Sequence, residues 1–400
     1  MPSPLDGIRI VEMTSVVLGP YACQMLGDLG ADVIKVEPLE GDTNRNLGPH
    51  SNNSDMGSLY LTCNRNKRSI ALDLKSDDGK AALRELLKTA DVLIHNFRPQ
   101  AIDRLGFSYD NVKALKPDIV YCGAYGYAKN GPYGEKGALD DSIQAASGIA
   151  MLQSMVEGEP RYLPTIVADK TTALMVVQAV MAALFHRERS GEGQEVEVPM
   201  FETMASYVMT EHLWGKTFEP NIGEAGYVRL MAKHRRPYKT KDGLYLAVLP
   251  YWDNHWNTFC ELAERPDLAE DPRFLNMRLR LQNINESYKA TGEIIITKTR
   301  QEWLDLLGNT KVPMMVVNTL DGLVEDPHLV ETGFWQEFDH PTEGRVRMSS
   351  PPMNFSKTPA EIRKLAPRLG ENSVEVLKEA GLADATIDAM LAAGTVKVPS

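Results

Sequence analysis

Residues 26–37 carry the sequence LGDLGADVIKVE, in which the end of a helical pattern runs directly into a β-branched run. Apolar residues recur at helical spacing from 20 to 29, and Asp32–Val36 is typical of a buried strand. Comparable short runs predict further strands at 8–13, 69–72, 92–96 and 119–123. Since helical patterns separate these runs, the sequence predicts a doubly wound α/β fold, with a parallel sheet covered by helices.

A long helix is the next element that the pattern predicts. Apolar residues recur on one face from Asp169 to about Arg189, and the sequence SGEG at 190–193 ends the helix. Residues 194–198 then alternate polar and apolar side chains like a strand, and 200–214 resume a helical pattern. These elements extend the α/β unit to about residue 215.

The second half of the chain has a different character. Residues 216–325 mix aromatic and charged side chains and contain a predicted strand at 244–249. We therefore predict a second, smaller α+β domain at 216–325, and a large domain made of 1–215 and 326–400. The C-terminal residues 373–391 have helical periodicity and predict one final helix.

Composition excludes several classes of protein. The 400 residues carry a net charge of -11 and a pI near 5.3, which argues against a broad surface for nucleic acid or anionic lipid. The first 18 residues lack the pattern of a secretory signal. The longest apolar stretch, 173–185, is too short to span a bilayer and predicts a buried helix. We expect a cytoplasmic protein with no membrane or nucleic-acid partner.

Cysteine and histidine positions give no sign of a metal site. The four cysteines are far apart and show none of the paired spacing of zinc or redox motifs. They are Cys23, Cys63, Cys122 and Cys260. The eight histidines form no HExxH or HxH cluster. The sequence therefore predicts reduced thiols and no metal.

Asp169 is the candidate for a catalytic carboxylate. It stands at the predicted start of the long helix, where an aspartate can simply cap the free backbone amides. The same amides and the positive end of the helix dipole could instead keep a nucleophilic carboxylate ionised and in place. Position alone leaves both interpretations open.

Two further segments bear on cofactor binding. Residues 31–37 resemble the second strand of a Rossmann dinucleotide site, but the turn at 13–20 lacks the GxGxxG fingerprint, which argues against a nicotinamide cofactor. A basic cluster at 64–68, together with Lys75 and Arg104, lies near predicted strand ends. It is either a solvated surface or a site for a phosphate-bearing ligand.

Together, several blocks resemble the class III CoA-transferase family, which includes formyl-CoA transferases and carnitine CoA-transferases. The N-terminal block, 5–37, and the segment around Ala168-Asp169 resemble the family's signature and nucleophile regions. The resemblance also covers NRNKRS at 64–69, DVLIHNFRP at 91–99 and, near the C-terminus, 351–371.

This resemblance implies a CoA-transferase that uses acyl-CoA as a substrate, with no tightly bound cofactor, and an interlocked homodimer. It implies that Asp169 is the covalently acylated nucleophile. It also assigns CoA contacts to seven residues, namely Val16, Leu72, Lys75, Asn96, Phe97, Arg104 and Met200. Their chemistry fits those roles, because cations suit phosphates, apolar side chains suit adenine and pantetheine, and an amide can hydrogen-bond the cofactor.

Several residues depart from the family pattern, and these departures argue against some of the activities found in the family. Val17 and Pro38 replace the Gln and Arg of formyl-CoA enzymes, which argues against formyl or oxalyl specificity. Leu139 stands where acyl-CoA racemases of the family carry their histidine base, so proton transfer is the weaker alternative. A CoA-binding protein without turnover is a third alternative. The triplet at 234–236, HRR, is either an exposed basic surface or a clamp for a second carboxylate, as in dicarboxylic acids.

Overall fold

The structure is a computed structural model that describes residues 3–399, apart from the side chains of 155–157. The described chain divides into two compact units. The larger unit comprises 3–149, 162–207 and 330–399, and the smaller unit comprises 150–161 and 208–329. The predicted division, with a small domain at 216–325, stays a prediction. The smaller unit additionally contains 150–161, a segment from the first half of the chain.

Strands are numbered in chain order. Residues 3–399 form β1 to β12: Arg9–Met13, Asp32–Glu37, Lys67–Leu72, Val92–His95, Val120–Tyr125, Glu195–Pro199, Tyr238–Lys239, Tyr245–Val248, Met314–Val316, Trp335–His340, Gly344–Ser349 and Val396–Lys397. The five strands predicted in the first part of the chain are all present, and their ends lie within two residues of the predicted ones.

Helices are numbered in the same way. The described residues form α1 to α18: Leu18–Asp28, Ser58–Cys63, Asp77–Lys88, Pro99–Leu105, Tyr109–Leu115, Asp140–Ala146, Ile149–Glu157, Val167–Ser190, Met200–His212, Asp253–Leu262, Pro266–Ala269, Met277–Gln282, Ile284–Ile295, Arg300–Leu307, Leu320–Val324, Pro327–Glu331, Ser373–Glu379 and Asp384–Ala392. Two 3₁₀ turns are Thr43–Asn46 and Trp214–Thr217.

The larger unit is built on a seven-stranded sheet with the order β12-β3-β2-β1-β4-β5-β6. Six of these strands run parallel, and β12 adds an antiparallel edge. Strand β1 lies at the centre, where Ile10 pairs with Val33 on one side and Val92 on the other. The predicted α/β fold with a largely parallel sheet is therefore confirmed.

The strand order reverses between β1 and β4. The chain first adds β2 and β3 on one side of β1 and then returns to add β4, β5 and β6 on the other side. Because the connecting segments leave on opposite sides, a crevice forms at the carboxyl ends of β1 and β4, where ligands of open α/β sheets bind. A ligand site is therefore expected at this edge of the sheet.

The C-terminal region differs from the prediction of one helix over 373–391. Gly381, with φ of +89°, separates α17 from α18, because a left-handed residue cannot continue an α-helix. Strand β12 was not predicted, because its two residues are too few to show any periodicity. Val396 pairs with Leu72, so β12 covers the edge of β3.

The long helix α8 is longer than its apolar stretch suggested. It is the one helix among residues 3–399 that is long and apolar enough to span a bilayer, a property shared by core helices of water-soluble proteins. The predicted single buried face is wrong in part. Ala173 and Val180 are buried, but Leu174 and Phe185 are 57% and 64% exposed in the isolated chain.

The smaller unit contains the three-stranded antiparallel sheet β7-β8-β9. Aromatic side chains, Trp256, Phe259 and Trp303, form its core and are fully buried. Both indole N–H groups find backbone acceptors, since Trp256 donates to Leu268 O at 3.3 Å and Trp303 to Ile295 O at 2.7 Å. This unit thus has a hydrophobic core of its own.

A buried ion network lies under the crevice of the larger unit. Glu12 on β1 pairs with Lys35 on β2 at 3.1 Å and with Lys67 on β3 at 2.7 Å. Lys35 also pairs with Asp42 at 2.8 Å. Burial by itself would raise the pKa of Glu12, but the two lysines outweigh it and hold that pKa below its usual range.

Candidate active site

Asp169 is the third residue of α8, at the end of this helix that faces the carboxyl edge of the sheet. The opposite end is fixed by Arg187, whose guanidinium pairs with Asp91 at 3.0 Å just before β4 begins. Asp91 lies at the amino edge of the sheet, and α8 rises about 1.5 Å per residue. Asp169 therefore lies toward the edge where β1 and β4 end.

The first turn of α8 is capped by Asp140 and not by Asp169. Asp140 begins α6, and its Oδ1 accepts hydrogen bonds from the backbone amides of Ala168 at 2.7 Å and Asp169 at 3.0 Å. The residue at the N-cap position, Ile166, has no side chain that could do so. The capping interpretation of Asp169 is thus wrong, and its carboxylate has no such structural role.

Gln144 holds Asp140 in place. The Gln144 side-chain amide donates to Asp140 Oδ2 at 2.6 Å, and its carbonyl oxygen accepts from Leu163 N at 2.8 Å. Gln144 is 1% exposed, so both bonds are shielded from water. The segment that leads into α8 is therefore fixed relative to α6.

Asp169 is in an environment that opposes its negative charge. The residue is buried, and no hydrogen bond to its carboxylate occurs among the described side chains and backbone. Burial and, second, the negative charge of Asp140 raise the pKa of the Asp169 carboxyl to about 7. The sequence argument expected the helix amides to keep this group ionised, but those amides are already bonded to Asp140.

The turn that follows β1 borders the crevice and is held in a fixed conformation. After β1, the backbone of Ser15 is held by the side chain of Asn96, which follows β4: Ser15 N donates to Asn96 Oδ1 at 3.2 Å and Asn96 Nδ2 donates to Ser15 O at 3.0 Å. Asn96 was predicted to bond a cofactor. In the structure its amide joins the two strand ends on either side of the reversal.

The other predicted contact residues follow the carboxyl ends of parallel strands. Leu72 is the last residue of β3 and Lys75 follows it, Phe97 follows β4, Arg104 lies in the last turn of α4, and Met200 follows β6. Lys75 and Arg104 are exposed and have no carboxylate partner among the described residues. Leu72 and Met200 are buried, and the Leu72 side chain belongs to the hydrophobic core. The topology thus brings Leu72, Lys75, Phe97 and Met200 to one edge of the sheet, and Arg104 lies on the helix that begins there.

The basic cluster at 64–68 does not add exposed cations to Lys75 and Arg104. Each of its charged side chains is buried and paired with an acidic residue of the larger unit. The pairs are Arg65–Asp28 at 2.7 Å, Lys67–Glu12 at 2.7 Å and Arg68–Asp32 at 2.6 Å. Both earlier interpretations, a solvated surface and a phosphate site, are therefore wrong for these residues.

The triplet at 234–236 lies in the smaller unit. His234 and Arg236 line a cavity of about 700 Å³ together with Lys239 and Lys289. No metal-binding group of three or more His, Cys, Asp or Glu side chains occurs in the part of the chain that the structure describes.

Sequence reasoning missed the capping role of Asp140. The two amides that Asp140 binds are 28 and 29 residues away in the chain, so no local spacing could indicate the contact. The one local signal was that Asp140 stands at the start of a helical segment. Asp169 has the same kind of position, so this signal could not distinguish the two residues.

Comparison with known proteins agrees with this geometry. A profile of CoA-transferase family III matches residues 5–373. The chain belongs to this family. It is an enzyme family whose members exchange CoA between acids, so the predicted enzyme class is confirmed.

Named relatives of this family III CoA-transferase align over almost its whole length. Succinyl-CoA:glutarate CoA-transferase of Homo sapiens is 30% identical over 98% of this chain and 90% of the relative. Formyl-CoA:oxalate CoA-transferase of Streptomyces coelicolor is 32% identical over 98% of this chain and 99% of the relative. A crystal structure of a CAIB/BAIF family protein from Brucella suis is 29% identical, with a TM-score of 0.81, and covers 95% and 100% of the two chains.

Proposed function

We propose that this enzyme moves CoA from an acyl-CoA donor to a carboxylic acid through a covalent intermediate on Asp169. One observation carries the proposal. The Asp169 carboxylate is buried and accepts no hydrogen bond from the described part of the chain, while the amides that it could have capped are bound to Asp140. A carboxylate that is desolvated in this way is a stronger nucleophile than one in water.

The reaction proceeds by acyl exchange at Asp169. A carboxylate oxygen attacks the thioester carbonyl carbon of the donor, the C–S bond breaks, and a mixed anhydride and CoA thiolate form. The thiolate attacks the aspartyl carbonyl, which releases the donor acid and leaves an aspartyl-CoA thioester. The acceptor carboxylate then repeats the two steps in reverse order, so that the new acyl-CoA leaves and the Asp169 carboxylate is restored.

The CoA portion is proposed to bind along the carboxyl edge of the sheet. Lys75 and Arg104 are the cations that suit its phosphates, since neither has an acidic partner among the described residues. Phe97 is half-buried and suits the apolar part of the ligand, and Val16 lies in the turn at the crevice. No tightly bound cofactor is needed for this chemistry.

Dicarboxylic acids are the proposed acyl partners. The names of the human and Streptomyces relatives contain succinyl, glutarate and oxalate, which are all derived from dicarboxylic acids. The basic triplet at 234–236 is the sequence-based candidate for binding a carboxylate, and Arg236, which is always charged, lines a cavity of the smaller unit.

We also propose a cytoplasmic homodimer built from a large α/β domain and a smaller domain. The exposed Leu174 and Phe185 of α8 support the dimer, because apolar side chains of this size on a regular helix are usually covered by a partner.

Intact-protein mass spectrometry tests the covalent step. After incubation with a panel of acyl-CoAs, including succinyl-CoA and glutaryl-CoA, we expect an adduct that hydroxylamine or borohydride converts to a product at Asp169, located by peptide mapping. No adduct from any donor, with deuterium uptake beside the thioester carbonyl, would establish proton transfer instead. Binding of CoA with neither result would indicate a protein without turnover.

The Asp140→Asn variant tests the electrostatics of the site. Asparagine keeps an oxygen that accepts from the two α8 amides but removes the negative charge that raises the pKa of Asp169. Since the nucleophile must be ionised, exchange in the unsubstituted enzyme should fall as the pH drops below about 7. In the variant this acidic limb is expected to shift to lower pH.

The same pH–rate profile provides the control. Asp141→Asn removes a neighbouring exposed carboxylate that does not cap α8, and its profile should match that of the unsubstituted enzyme. An unchanged acidic limb in Asp140→Asn would contradict the assigned electrostatic effect.

A further inference from the structure

The turn between β1 and α1 contains a strained residue. Val16 has φ of +68°, in the left-handed region that β-branched residues rarely adopt. Among residues 3–399, the other non-glycine residues with positive φ are Asn66, Trp214 and Glu264, none of which is β-branched. A conformation of this kind persists only when the surrounding structure imposes it.

Two side chains from the segment after β2 impose the Val16 conformation: Asp42, which caps the 3₁₀ turn Thr43–Asn46, and Asn44 within that turn. Asp42 Oδ1 accepts from Val16 N at 3.3 Å, and Asn44 Nδ2 donates to Val16 O. Both polar groups of this one residue are therefore bonded to side chains that come from another connection of the sheet. The neighbouring Ser15 is held by Asn96 in the same way from the β4 side.

Asp42 is itself fixed by the buried ion network. It is 3% exposed, its Oδ2 pairs with Lys35 Nζ at 2.8 Å, and its Oδ1 also accepts from Asn44 N at 3.0 Å. Lys35 is bound in turn to Glu12 on the central strand. The strained turn is thus connected to the interior of the sheet through an unbroken series of charged contacts.

We propose that Asp42 and Asn44 are positioning residues, which hold Val16 in its left-handed conformation so that the crevice turn is already shaped for acyl-CoA. This inference rests on the proposed function. Without these contacts, Val16 relaxes to negative φ and the turn has to be rebuilt when the ligand binds. The energy for that change comes from ligand binding, so affinity falls while the reaction of the bound complex is less affected.

Calorimetric titration with CoA tests the inference without requiring turnover. Asp42→Ala is expected to weaken CoA binding about tenfold, the factor that corresponds to backbone strain of this size. In exchange assays the KM for acyl-CoA should rise by a similar factor, with a smaller change in kcat. Asn44→Ala should act in the same direction and leaves the Asp42–Lys35 pair intact, so it carries the test if Asp42→Ala does not fold.

Asp28→Ala is the matched control. Asp28 is 2% exposed and pairs with one cation, Arg65, at 2.7 Å, so it resembles Asp42 in burial and charge. It ends α1, far along the helix from the turn. Its loss should lower stability without changing the affinity for CoA.

Val16→Gly distinguishes positioning from a general loss of structure. Glycine adopts positive φ without strain, so in the Val16→Gly background the Asp42→Ala substitution should no longer weaken CoA binding. An equal loss in both backgrounds, or equal affinities of Asp42→Ala and Asp28→Ala, would overturn the inference and leave the proposed function standing. If the unsubstituted protein does not bind CoA, the proposed function fails and this inference with it.

Discussion

Asp169→Asn is expected to lower the rate of CoA exchange by about 10³-fold or more, because an amide cannot form and release the acyl intermediate. The side chain keeps its size, so the fold and the Asp140 cap of α8 should remain. The measurement is transfer of CoA to an isotopically labelled acid, combined with the mass of the protein after incubation with the donor. Neither exchange nor adduct is expected in the variant.

The same substitution, Asp169→Asn, should raise the stability of the folded protein although it lowers the rate of exchange. The pKa of Asp169 is raised to about 7 in the folded protein, so between about pH 4 and pH 7 the folded state holds a proton that the unfolded chain has lost. The unsubstituted protein therefore loses stability as the pH rises through this window. At pH 8 the free energy of unfolding of Asp169→Asn should be higher than that of the unsubstituted protein by about 1–3 kcal/mol, with a correspondingly higher Tm. At pH 4 the two proteins should differ little.

Asp110→Asn serves as the control for both effects. Asp110 also lies in the first turn of a helix, α5, but is exposed. Its replacement should leave exchange unchanged and alter stability by no more than about 0.5 kcal/mol. Full exchange activity in Asp169→Asn would refute the assignment of the nucleophile.

Glu12→Gln is expected to lower the free energy of unfolding by about 3–5 kcal/mol, because it removes the charge that faces two buried lysines. Glu12 is fully buried and contacts Lys35 at 3.1 Å and Lys67 at 2.7 Å. Glutamine has almost the same shape, so a cavity does not explain the loss. The midpoint of urea unfolding, followed by circular dichroism, measures it.

The pH dependence of the same measurement supplies a second criterion. The pKa of Glu12 is lowered in the folded state, so its contribution is present above the pKa of the unfolded chain and is lost as the pH falls through the folded value. The difference between the two proteins should therefore be largest near neutral pH and shrink in acid.

Glu85→Gln is the control for Glu12→Gln, because it removes the same charge from an exposed ion pair. The Glu85–Lys88 pair is about half exposed on both sides, so its loss should change stability by about 0.5 kcal/mol or less. If Glu12→Gln cost no more than Glu85→Gln, the buried network would not stabilise the fold as described.

Much of the fold was accessible from local sequence. Strands β1 to β5 are short apolar runs, and α8 has a long stretch of residues that favour a helix, so both signals depend only on neighbours along the chain. The sequence missed the helices of 253–307, where aromatic and charged residues are mixed, and the short elements near the C-terminus. Val396–Lys397 becomes a strand only because the edge of β3 is available to pair with it.

The sequence by itself determined the fold class, the family and the position of Asp169 at a helix start, because each of these is written in residues that are close together in the chain. The tertiary structure decided what the charged groups do. It assigned the α8 cap to Asp140, bound Arg65, Lys67 and Arg68 in ion pairs, and left Lys75 and Arg104 without carboxylate partners in the described chain. The physical reason is that a charge is satisfied by the groups nearest to it in space, and most of these are far away in sequence.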